Sequence, residues 1–137
     1  MSASAVRWSA AALYVLAVLL MGVRAGQPDQ AWWWLGEIPF TAWIASPILA
    51  GLFFHSRFGN ETARLAFAIL LAAIAVAGFA LQWHVLFIGP SDAQNGLVAL
   101  FAPLYQWFGV LLSLALCWLG GKLMRRGNVP TAGEQKR

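Results

Sequence analysis

Six side chains able to hold a cation or pass a proton fall toward the same side of the apolar stretches in which they occur. Glu37 opens one such stretch, and Gln82 and His84 close the next. Asp92 sits in the connection that follows, and Tyr105 and Gln106 lie inside the last stretch. A carboxylate beside an imidazole can bind a cation or relay a proton, and ionisable groups at membrane depth serve such pathways. The expected site is a small polar cavity in the outer half of the molecule. Glu37 or Asp92 would act there with His84 and Gln82, above Tyr105 and Gln106. The plainer reading of the same residues is a hydrogen-bonded network that caps helices and fixes their packing.

Other chemistries find fewer supporting residues. His55 and His84 could ligate haem, but they fall at opposite ends of successive apolar stretches, so one chain could not grip a haem between them. A two-histidine metal site fails for the same reason. Cys117 is the single cysteine, so a dithiol couple is excluded. The sequence has no Ser/His/Asp arrangement, phosphate-binding glycine loop or paired membrane carboxylates. An enzyme has little support, and no cofactor or metal is expected.

The elements that would position these residues are set by hydropathy. The chain has 137 residues, of which 61% are hydrophobic and 10% charged. Soluble domains carry about 25% charged residues, so there are too few charges here to build a water-facing surface. Four apolar stretches, residues 8–23, 38–54, 65–88 and 97–121, have the length of membrane-spanning helices. The expected fold is all-α: an integral membrane four-helix bundle of two antiparallel helical hairpins, spanning residues 1–126, with a flexible tail at 127–137. Residues 65–88 form the most regular stretch, rich in Ala, Leu and Ile. Pro39 is placed in the first turn of the second span, whereas Pro47 and Pro103 fall inside spans and should kink them. Residues 92–105 also read as a broken, cavity-lining helix, the feature that most favours transport. Asn60 or Thr62 should cap the third span. The match of residues 60–62 to a glycosylation pattern is accidental if that turn faces the cytoplasm.

Sidedness follows from the cations. With the N-terminus inside, eight of the nine Lys and Arg residues fall on the inner side and only Arg24 on the outer, a strong positive-inside pattern. Both termini are thus expected in the cytoplasm, with a bacterial inner membrane as the working compartment. Lys122, Arg125 and Arg126 should favour anionic lipid head groups. The net charge of +4 serves topology, and no nucleic-acid partner is expected. Trp32, Trp33, Trp34 and Trp83 suit an interfacial anchor belt, with residues 32–34 read as a short segment along the surface. Arg24 is expected to pair with Asp29 or Glu37.

Within lipid, helices associate through close contact of small residues. The expected contact positions are Ala42 and Ser46 on the second span, Ala73, Ala77 and Ala80 on the third, and Gly109, Ser113 and Cys117 on the fourth. The expected function is a non-enzymatic accessory or assembly protein, working through helix contacts with itself or with a larger membrane complex. One alternative is a small oligomeric channel or carrier using Glu37, His84 and Gln106. Another is a lipid- or quinone-binding component.

Overall fold

The computed structural model describes residues 3–89 and 93–127, and side chains over 4–89 and 97–123. Within them every regular element is a helix, and short turns join the helices. The helices are α1 (Ala3–Ala25), α2 (Trp33–His55), α3 (Glu61–Trp83) and α4 (Ala93–Gly127). A single π-helical turn, His84–Ile88, extends α3, with the Gly89 amide reaching back five residues to the His84 carbonyl. Four helices are long and apolar enough to cross a membrane. Large apolar side chains such as Trp8, Leu35, Val76, Phe108 and Leu123 stand on the outside. A soluble protein does not leave apolar surface on that scale uncovered. The chain is an integral membrane protein.

Each helix outruns its apolar stretch, because hydropathy marks the hydrocarbon layer while backbone hydrogen bonding continues into the flanks. Helix α2 starts five residues early. Trp33 and Trp34 therefore form its first turn rather than a separate surface segment, and Pro39 falls in the second turn. The indole of Trp34 donates to the Pro28 carbonyl (3.1 Å), closing the α1–α2 loop. Asn60 caps α3, its side chain accepting from the Thr62 amide at 2.9 Å. Glu61 lies in the first turn, where the helix dipole favours it, and pairs with Arg64 at 3.2 Å. That is the one ion pair among the described residues. Arg24 has neither Asp29 nor Glu37 as an ion-pair partner.

Helix α1 packs on α2, α3 packs most extensively on α4, and α2 touches both α3 and α4. The core cluster is Ile48, Phe67, Leu71, Val110 and Cys117, at the end of the bundle where α2 finishes and α3 begins. The same end gathers Arg7 with Ser56, and Arg57 with Asn60 and Lys122, around two shallow surface hollows. It is the basic end of the molecule.

Candidate functional site

The four apolar stretches bring the polar residues into three separate places. The first is near the start of α2, where Glu37 is 8% exposed and accepts a 2.8 Å hydrogen bond from the Thr41 hydroxyl one turn on. The carboxylate fits because position 22 on α1 is glycine, where a β-carbon would collide with it. The second place is mid-bundle. Gln106 is 4% exposed, and its Nε2 donates long hydrogen bonds to the Tyr14 hydroxyl (3.4 Å) and the Ile74 carbonyl (3.5 Å). Its amide occupies the space that a side chain at Gly78 would fill. This contact ties α1, α3 and α4 together. The third place is Gln82, 1% exposed, whose side-chain nitrogen and oxygen both lack partners among the described residues.

His84 and Tyr105 belong to none of these places. His84 is exposed, and Tyr105 is 76% exposed on the outward face of α4. Asp92 lies outside the described residues. Glu37 lines a hollow of about 390 Å³ with Trp32, Trp33, Gly36 and Phe40, which does not extend to Gln82, His84 or Gln106. Glu37 thus packs against α1 at Gly22, whereas Gln106 meets Gly78 on the buried α3 face that also carries Gln82, and His84 and Tyr105 are exposed. Spacing along each helix gives a residue's position along the axis, but the rotation of each helix decides which neighbour a side chain meets.

The packing residues show this directly. Helix α3 buries Phe67, Leu71, Gly78 and Gln82, while Ala73, Ala77 and Ala80 are exposed. At 3.6 residues per turn, its inward stripe lies about two-fifths of a turn from the alanine stripe. On α2, Ala42 is exposed and Ser46 half-buried. On α4, Ser113 and Cys117 are buried, and Gly109 lies against Ile74. Of the anchor tryptophans, Trp32 and Trp83 are exposed, and Trp33 and Trp34 half-buried. Lys122 stands over the Trp118 ring at 3.8 Å, a cation–π contact at the basic end.

Tryptophans absent from that expectation prove central. Pro47 has no N–H for the Trp43 carbonyl, and the Ser46 hydroxyl donates to that carbonyl instead (2.8 Å). The Trp107 indole donates to the same Ser46 oxygen (3.1 Å). The Trp43 indole in turn donates to Leu100 on the turn before Pro103 (2.9 Å), where the second proline disturbs the carbonyl ladder. Both prolines are fully buried. The two proline-bearing turns are therefore joined by reciprocal indole hydrogen bonds between α2 and α4. A signal existed in the sequence: Trp43 precedes Pro47 by one turn, and Trp107 follows Pro103 by one turn.

A groove of about 550 Å³ opens between α1, α2 and α3. Its floor is Ile48, Leu52 and Leu71. Arg7 and His55 stand at its basic end, and Tyr14 lies deeper. The His55 ring stacks near Phe67, centroids 6.5 Å apart, and its buried Nδ1 has no partner among the described residues.

The fold and these contacts define a multi-pass membrane helix bundle. No protein-family model, characterised protein or solved structure matches the chain.

Proposed function

We propose that the protein is a small non-enzymatic membrane component of accessory or assembly type, working through helix contacts with a second copy or a larger complex. It would be arranged as two antiparallel helical hairpins, with both termini on the cytoplasmic side of a bacterial inner membrane. The observation that carries this reading is the exposed stripe Ala73, Ala77 and Ala80 on α3. Bulky Ile69 and Val76 flank it on one side and Leu70 and Leu81 on the other. Small residues between larger ridges let another helix approach closely, which is how helices associate in lipid. Lipid alone gives no reason to keep such a furrow.

The test is Ala77→Leu in the full chain, purified in mild detergent. The wild type is expected to migrate as an oligomer or to retain a membrane partner. The variant should lose that association while keeping its thermal stability, because residue 77 is exposed on the outside of the bundle. A wild type that runs as a lone chain and retains no partner would end this reading.

A second reading, a small oligomeric carrier, draws on Gln82. A buried amide with neither donor nor acceptor engaged is costly in a bundle, and a polar solute passing through would engage it. Solute flux lost in Gln82→Leu would favour the carrier. An accessory role would survive that substitution.

A further inference from the structure

The groove between α1, α2 and α3 has the form of a site for one amphiphile. Its volume, about 550 Å³, falls within the usual range for ligand pockets, roughly 300–1,000 Å³. Its floor is continuous aliphatic surface, Ile48, Leu52 and Leu71. It exists because the residues lining the α1 and α3 sides are small, notably Ala10, Ala68, Ala72 and Ala75. Larger residues there would fill the space between α1 and α3. From Arg7 to Tyr14 the α1 wall covers seven residues, about 10 Å of helix rise, deep enough for an acyl chain to leave the interface and enter the bundle.

Polarity is confined to the ends. At the basic end, Arg7 has no carboxylate in ion-pair distance among the described residues, and His55 keeps a buried ring nitrogen without a partner. Arg7 and His55 both line that end of the groove, so its mouth carries a cation with no carboxylate beside it among the described residues. At the inner end, the Tyr14 hydroxyl is engaged by Gln106, leaving the deep wall without a free polar demand. An apolar trough with a cationic mouth matches a lipid with an anionic head. A neutral quinone leaves Arg7 without a counter-charge, and so does an apolar helix.

We propose that this groove holds one acyl chain of an anionic phospholipid, drawn from the leaflet on the Arg7 side, with Arg7 and His55 at its head group. The site stands independently of the alanine stripe on α3, so either can fail without the other.

The test uses native mass spectrometry of the full chain released from detergent, titrated with phosphatidylglycerol and, separately, phosphatidylcholine. Phosphatidylglycerol is expected to bind about fivefold more tightly, the scale of one basic residue near an anionic head group. Arg7→Gln should remove the preference, Arg7→Lys should restore it, and Arg24→Gln at the opposite end should leave it intact. Ala72→Phe, which fills the trough, should abolish tight binding of both lipids while leaving the melting temperature within a few degrees. Equal binding of the two lipids by the wild type overturns the proposal, as does unchanged binding in Ala72→Phe. Efficient disulfide cross-linking of Ala72→Cys to a second copy in native membranes also overturns it, since a protein helix would then fill the groove.

Discussion

At Gly78 and Gln106 the bundle trades side-chain volume on α3 for an amide on α4. The glycine leaves a hollow, and the Gln106 amide occupies it while bonding to Tyr14 and Ile74. Gly78→Ala should therefore cost about 1–3 kcal/mol, the usual range for overpacking a filled site. The cost should largely vanish in a Gln106→Ala background, because the colliding group is gone. Unfolding in mixed detergent micelles of both single variants and the double variant measures this coupling, and equal penalties in both backgrounds would contradict it. Gln82 has the opposite prospect. Its amide is buried with both polar atoms unengaged among the described residues, and such a group costs about 1–3 kcal/mol. Gln82→Leu is expected to raise unfolding resistance by a similar amount, and a destabilised variant would argue for a partner that the amide serves.

Between elements, the α2–α4 contact is where two weak points reinforce each other. Pro47 and Pro103 each disturb a carbonyl ladder. Ser46, Trp43 and Trp107 supply donors to the affected turns or to each other. Interhelical hydrogen bonds in membranes average about 0.6 kcal/mol. Trp43→Phe and Trp107→Phe should each cost about that much in hydrogen bonding and should be less than additive together, since both indoles tie the Trp43–Ser46 turn of α2 to α4. A strictly additive double variant would mean that the indoles act through ring packing alone. Helix α1 is held differently. It rests chiefly on α2, with Gly22 against Glu37 and Tyr14 reaching Gln106.

On the scale of the whole molecule, the outer surface is apolar around the bundle and basic at one end. If that end is cytoplasmic, the α1–α2 loop and the α2–α3 turn must face opposite compartments. Cys117 is buried, so newly introduced thiols can be labelled selectively. In intact cells an impermeant maleimide should label Asp29→Cys, whereas Gly59→Cys should react only after lysis. The reverse pattern would invert the proposed sidedness, and labelling of both in intact cells would break it altogether.

Membrane residence and the number of helices were legible in the sequence alone. They depend on the scarcity of charge and on the lengths of the apolar stretches, and neither needs a neighbour to be specified. Asn60 as a cap was legible for a similar reason, because its partner is the Thr62 amide two residues away. Rotation was not legible in the same way. Ala77 and Gln82 lie on one apolar helix, and lipid solvates apolar residues as well as protein does, so hydropathy did not tell the inner face from the outer. Packing against α4 turned Gly78 and Gln82 inward and left Ala77 and His84 outside. The tertiary structure alone could therefore decide that Glu37 packs against α1 while Gln106 meets the α3 face that carries Gly78 and Gln82, and that Trp43 and Trp107 join two proline-bearing turns. It also decided that a trough with Arg7 at its mouth remains between α1 and α3. Each of those outcomes depends on how one helix turns against another.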